Sequence, residues 1–273
     1  MELDGKVAIV TGASRGVGAA TALLMAERGC KVVCAARATD AAPVPIPGTI
    51  DETVRRITDA GGTALAVPTN LAKDAEVERM IQATVDHFGP VDILVNNAAI
   101  TFPGDLDLDM KRFDLLMQVD LRAPLLAVRA VMGSMKQRRS GSILNISSIA
   151  GLNYFPGLMA YGMAKAALEH LTVSAAYQLK PFNVAVNTFR IDVPVASEGF
   201  VFNLPDADHS DWEPSEVAAE GIVWMLEQPS TYTGHNVGMA RLREEQGIMA
   251  SRSERPHTQQ GRVVTETHLR PPS

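Results

Sequence analysis

The sequence predicts an α/β chain, a doubly wound parallel sheet in a single domain with helices on both faces. Three observations carry this. Short apolar runs alternate with segments of helical period, and Gly, Asn or Ser punctuates their junctions. The 273 residues are 46% hydrophobic and 21% charged, so a core can be buried without disulfides or structural metals. A length of about 250 residues is also common for one α/β domain.

In order, Lys6-Val7-Ala8-Ile9-Val10 predicts a buried strand, followed by a glycine turn and an Ala/Leu-rich helix to about Arg28. Residues 32–36 form a second strand. The stretch from Thr39 to Gly48 is irregular, because Pro43, Pro45 and Pro47 each fix φ and remove a donor. A helix over 49–59, a strand over 63–67 and a helix over 74–88 follow, the last stopped by Gly89-Pro90. Strands at 91–95 and 142–146 flank a long helix over 110–135. A helix over 159–179, a strand over 184–188, a helix over 214–226 and a short strand at Asn236-Val237 complete the domain, expected over residues 1–250. The polar tail, 251–273, has little to bury and is expected either to fray or to order against a neighbouring subunit.

A net charge of −6 argues against nucleic acid or a membrane surface as partner, since either would want a basic face. Cys30 and Cys34, on one strand, would lie about 13 Å apart, too far for a disulfide. The six histidines show no metal-ligand spacing, so no metal site is expected. The opening Met1-Glu2-Leu3-Asp4-Gly5 is polar where a secretory leader needs a basic start and an apolar run. The longest uncharged run, 140–164, is broken by Asn, Ser, Pro and Gly and makes a poor membrane span. A cytoplasmic setting is expected.

Thr11-Gly12-Ala13-Ser14-Arg15-Gly16-Val17-Gly18 joins the first strand to the first helix. Its glycines permit a tight turn and close ligand approach, and the helix aims free N–H groups and a positive dipole end into the turn. A pyrophosphate is the natural occupant of the turn formed by Gly12, Ser14, Arg15, Gly16, Val17 and Gly18, although glycines in such a turn can also be purely structural. Tyr161 and Lys165 stand at i and i+4 near the start of a helix and share one face. Tyrosine titrates near pH 10, and bringing it to 7 takes about 4 kcal/mol. A neighbouring Lys⁺ pushes in that direction by favouring the tyrosinate. Ser148 closes the preceding strand at the sheet's carboxyl edge, where ligands bind in open α/β sheets. Alternation points Ser147 to the opposite side.

With these features the chain resembles the short-chain dehydrogenase/reductase family over about residues 5–240, which implies a Rossmann-type fold. Ser148 and Tyr161 stand thirteen positions apart, the family's usual interval. The resemblance implies that Tyr161 transfers a proton, that Lys165 lowers its pKa and binds the nicotinamide ribose, and that Ser148 orients the carbonyl. It implies dinucleotide contacts from Gly12, Gly16 and Gly18, from the Asn96-Asn97-Ala98-Ala99 turn through Asn96 and Ala98, and from Asn70 and Leu71 around the adenine. It also implies a homotetramer or homodimer built from the helices at 110–135 and 159–179. The second strand ends in Ala36-Arg37 with no carboxylate, and Arg15 stands in the glycine turn. Two guanidinium forks suit a ribose 2′-phosphate, so NADP(H) is expected, with NAD(H) the other possibility.

Three departures qualify the match. Asp120 stands where the family has Asn. Pro124 leaves the Asp120 carbonyl free to hold a water reaching Lys165, while the carboxylate favours charged Lys165 and opposes the tyrosinate; alternatively Asp120 only caps the kink. Ile191-Asp192 replaces the family's Pro-Gly, so the carboxamide contact is expected to shift to Val193 or Ser197. Arg190 and Asp192 are expected to pair with each other or to line the substrate pocket. Third, the insertion at 40–48, similar to the hydroxysteroid dehydrogenase-like branch, is expected to be a surface loop in preference to a cover over the adenosine end. Phe200, Phe202, Leu204 and Trp212 are expected to border a moderately apolar pocket, or else a subunit interface. The expected activity is NADP(H)-dependent interconversion of a small-molecule carbonyl and a secondary alcohol; the other candidate is an NADP(H)-binding sensor with little turnover.

Overall fold

The computed structural model describes residues 1–203 and 205–255, apart from the side chain of Asn203. Leu204 and residues 256–273 of the expected tail lie outside the described residues. Seven strands, β1 (Val7–Thr11), β2 (Lys31–Ala36), β3 (Thr63–Pro68), β4 (Ile93–Asn96), β5 (Gly141–Ser148), β6 (Val184–Ile191) and β7 (Asn236–Gly238), form one sheet. All neighbours are parallel, in the order β3-β2-β1-β4-β5-β6-β7. The expected doubly wound, Rossmann-type single domain is therefore correct.

Strand alternation sorts the apolar side chains into two layers. Along β1, Ala8 and Val10 join Val32, Phe189 and Ile222 beneath α1 (Gly16–Glu27), α2 (Ile50–Asp59) and, further along the chain, α8 (Ser215–Glu227) and α9 (Met239–Gln246). Ile9 points the other way, to Val33, Leu94, Ile143 and Val186 beneath α3 (Asp74–Phe88), α5 (Ala123–Arg138) and α6 (Met159–Leu179). Being buried on both faces, the central strands need near-continuous Val, Ile and Leu, which is why they are plain in the sequence. Between β1 and β4 the winding reverses, opening a crevice at the carboxyl ends of the strands.

The single helix expected over 110–135 is instead α4 (Met110–Met117), a π-helical turn over Gln118–Arg122, then α5. Pro124 follows that turn inside α5, and the Ala123 N–H reaches back five residues to Gln118 O. Two helices were not anticipated: α7 (Glu198–Asn203) and α9. In α9 only Met239 and Leu242 are buried among charged neighbours, so its apolar side is too narrow to stand out.

The first residues of the expected tail, 251–255, are tied to the body. The Arg252 N–H donates to Glu213 Oε2 at 2.8 Å and the Arg255 N–H to Ser210 O at 2.9 Å. The insertion is the largely exposed loop expected, and its last residue docks on the body. Gly48 lies so close to the glycine turn that a Cβ on it would stand 2.5 Å from Ser14 O, and its own carbonyl accepts from Arg15 Nη2 at 2.7 Å. With φ +101°, Gly48 takes a backbone conformation that other residues adopt only with strain. Cys30 and Cys34 are both free and buried, and burial pushes each thiol up to about 12.

Candidate active site

At the crevice, the glycine turn and the turn after β4 meet backbone to backbone. A Cβ on Gly18 would lie 2.3 Å from Gly12 O, and one on Gly12 would lie 2.8 Å from Ala98 Cα. Thr11 Oγ1 accepts from the N–H groups of Asn97 and Ala98 at 3.0 and 3.1 Å, and Asn97 Nδ2 donates to Thr11 O at 2.8 Å. Asn97 thus locks the two turns together, a role that its place in the Asn-Asn-Ala-Ala motif did not reveal. Asn96 turns elsewhere: its Nδ2 donates to Asn145 Oδ1 at 2.9 Å, and Asn145 Nδ2 donates to Thr172 Oγ1 at 2.8 Å. The Asn96 side chain is spent inside the sheet because alternation faces it toward α6.

No side chain caps α1, so its first N–H groups point into the turn beside Gly16. Ser14 and Val17 are buried in that turn. Arg15 is half-buried, with Nη2 on the Gly48 carbonyl and Nε lacking a hydrogen-bond partner. Arg37 is exposed immediately after β2, and burial together with the Arg37 charge lowers the Arg15 pKa while Glu198 opposes them. Asn70 Oδ1 accepts from the Ala72 N–H at 3.1 Å, closing a local turn ahead of α3. Leu71 is buried beside Val119 and Ala123.

Across the crevice, Ser148 ends β5 and is half-buried, its Oγ accepting from the Ala150 N–H at 3.2 Å. That bond caps a 3₁₀ turn, Ile149–Gly151, which packs on the start of α6. A Cβ on Gly162 would stand 2.5 Å from Ala150 O, so only glycine beside Tyr161 lets the Ser148 turn approach this closely. Lys165, 2% exposed, donates from Nζ to Ile146 O at 3.0 Å and lies 5.3 Å from the centre of the Tyr161 ring. Ser147 faces the opposite way, donating to Glu169 Oε1 at 2.8 Å.

The π-helical turn carries Asp120, fully buried, into the same place. Its Oδ1 accepts from the Ile100 N–H at 2.9 Å, and Oδ2 lies 4.0 Å from Lys165 Nζ with no hydrogen-bond partner. Burial pushes the carboxyl up to about 7, against the opposing pull of Lys165 and the Ile100 N–H.

The expected Arg190–Asp192 pair does not form. Arg190 is buried and forks onto Glu169, Nε to Oε1 at 2.8 Å and Nη2 to Oε2 at 2.6 Å. Asp192 Oδ1 instead accepts from the Ala240 N–H at 3.0 Å, facing β7 and α9, and burial raises its pKa. Val193 is buried at the end of this segment, and Ser197 lies against Gly16. Phe200 stacks on Trp212 with ring centres 4.7 Å apart, while Phe202 is exposed. An apolar wall that the sequence reading passed over, Ile100, Phe102, Leu108, Phe113 and Met117, packs with Tyr161 around Leu116, Ala160 and Ala164. Its spacing runs through a loop and an interrupted helix, so no single period exposes it.

Among the described residues no helix is long and apolar enough to cross a membrane, and no cluster of His, Cys, Asp or Glu is arranged to hold a metal. The short chain dehydrogenase family model matches residues 6–192. A 3-oxoacyl-[acyl-carrier-protein] reductase from Synechocystis sp. is 42% identical over 188 residues, 68% of this chain and 72% of that protein. Mouse hydroxysteroid dehydrogenase-like protein 2 is 30% identical over 250 residues, 90% of this chain, and the chain spans about half (51%) of its length. Among solved structures, a chain from Xanthomonas campestris superposes with TM-score 0.82 at 30% identity, covering 94% of this chain and 96% of its own. A metagenomic short-chain oxidoreductase in complex with NADP gives TM-score 0.72 at 28% identity, covering 87% of this chain and 97% of its own. With a parallel sheet wound about one crevice and a family match over most of its length, the chain belongs to the short-chain dehydrogenase family, as an oxidoreductase of the CH–OH/C=O couple.

Proposed function

We propose that this chain is an NADP(H)-dependent oxidoreductase interconverting a carbonyl and a secondary alcohol, with Tyr161 as general acid/base. The observation that carries the reading is the buried Lys165 ammonium set against the Tyr161 ring, on the helix that the Ser148 turn packs upon. The glycine turn fits a dinucleotide pyrophosphate, with a close-packed glycine cradle and uncapped N–H groups of α1 facing it. When bound, the nicotinamide supplies or takes the hydride at the carbonyl carbon.

Tyr161 donates its proton to the carbonyl oxygen in reduction and takes it back in oxidation. Lys165 places a positive charge beside the tyrosinate left behind and stabilises it. Ser148 donates a hydrogen bond to the same oxygen and fixes its position. Asp120 lies 4.0 Å behind Lys165, and its carboxylate form favours the charged lysine. Arg37 and Arg15 take the 2′-phosphate of NADP(H); the NADP complex among the structural neighbours supports this preference.

The apolar wall from Ile100 to Met117 favours a ketone with an apolar arm. The name of the Synechocystis relative makes 3-oxoacyl thioesters the first substrates to try. We also propose a cytoplasmic homotetramer or homodimer, using the exposed Leu125, Met163 and Tyr177 of α5 and α6. The test is NADPH oxidation against a panel of ketones. Wild type should turn over at least one, and Tyr161→Phe should lose about 10²-fold or more while still binding NADPH. Binding with no turnover by wild type on any ketone would favour a binding-only sensor.

A further inference from the structure

The segment leading into α7 leans on the phosphate turn. A Cβ built on Gly16 would stand 2.8 Å from Ser197 Cβ and 3.3 Å from Glu198 Oε2. Glu198 therefore holds a carboxylate oxygen over the residue at which α1 begins, where N–H groups lack a capping side chain. Arg15 flanks the same point, and Glu198 is the charge that opposes the lowering of its pKa by burial and by Arg37. The remainder of Glu198 is exposed, so the carboxylate can swing away into water.

A helix N-terminus and a guanidinium attract an anion, and here the protein supplies one of its own. We propose that Glu198 is a displaceable internal anion that occupies the pyrophosphate end of the dinucleotide site and weakens cofactor binding. The inference rests on the dinucleotide reading above and assigns to that site a residue that sets its affinity for either dinucleotide. A pyrophosphate entering over Gly16 must expel the carboxylate, because two anions at one point repel.

The experiment is a fluorescence titration of the full chain with NADPH and with NADH, for wild type, Glu198→Gln and Glu198→Asp. Inorganic pyrophosphate serves as competitor. The Gln variant should bind both dinucleotides about three- to tenfold more tightly at low salt, since both carry the pyrophosphate. Inorganic pyrophosphate should compete better against it by a similar factor. Asp, one methylene shorter, should fall between Gln and wild type, and the gap should narrow at about 0.5 M NaCl. Wild type binding NADPH as tightly as the Gln variant, or more tightly, overturns the proposal and leaves the oxidoreductase reading intact. Wild type binding neither dinucleotide overturns both.

Discussion

Lys165 Nζ and Asp120 Oδ2 lie 4.0 Å apart with both side chains buried, and the lysine spends a hydrogen bond on Ile146 O rather than on the carboxylate. Asp120 therefore keeps one oxygen without a hydrogen bond and its carboxyl is raised to about 7. An unfolded aspartate titrates near pH 4, so between about pH 4 and 7 the folded chain holds a proton the unfolded chain has lost. Stability must then fall as pH rises through that window, by about 4 kcal/mol at most. Asp120→Asn removes this slope. Urea unfolding at pH 5 and pH 8 should show the Asn variant gaining on wild type at the higher pH. A limb near pH 7 in the wild-type kcat profile should vanish with it.

Arg190 and Glu169 form a buried fork, and Glu169 sits one helical turn after Lys165. Removing one partner strands the other charge, so Arg190→Leu should cost about 3–5 kcal/mol in denaturant titrations. The double variant Glu169→Met/Arg190→Leu should be more stable than either single change. If the single change cost less than 1 kcal/mol, water would have to reach the fork.

Gly162 controls the contact between the Ser148 turn and α6. Gly162→Ala brings a methyl to 2.5 Å from Ala150 O, against backbone that has little room to yield. We expect a loss of about 1–3 kcal/mol in stability. We also expect a fall in kcat larger than any rise in KM, because the change separates Ser148 from Tyr161 without touching the dinucleotide turn.

On the NADP(H) reading, Arg37 discriminates by charge. Arg37→Ala should weaken NADPH binding about 10- to 100-fold, the worth of one charge-assisted hydrogen bond, and leave NADH within about twofold. Equal losses for both cofactors would place the 2′-phosphate elsewhere, with Arg15 the next residue to change.

The sheet and the glycine turn were legible because each is written locally. A strand buried on both faces is an apolar run, and a turn pressed against a neighbouring backbone demands glycine at fixed positions. Tyr161, Lys165 and Ser148 could be placed at one edge for the same reason. Non-local pairings were hidden. Nothing in the neighbourhood of Arg190 announces that its partner is Glu169 rather than Asp192, because the choice is made by which face of β6 meets α6. The insertion is the exposed loop that its prolines announce, but the docking of its last residue was hidden, because it depends on Gly48 meeting Ser14 across the fold. Helix α9 was lost in charged sequence, and α7 is too short to show a period.

Asn96, Asn145 and Thr188 are direct neighbours across β4, β5 and β6, joined to one another through hydrogen bonds or through Thr172 on α6. Apolar strands alone tolerate sliding, since one valine packs much like the next. This row does not: a shift of one position turns an amide to the other face and leaves its partners buried without bonds. It works as an alignment key for the parallel sheet, and it sets the height at which the carboxyl ends of β4 and β5 finish. The level of Ser148 beneath Tyr161 is thus decided by three side chains that need never meet a substrate.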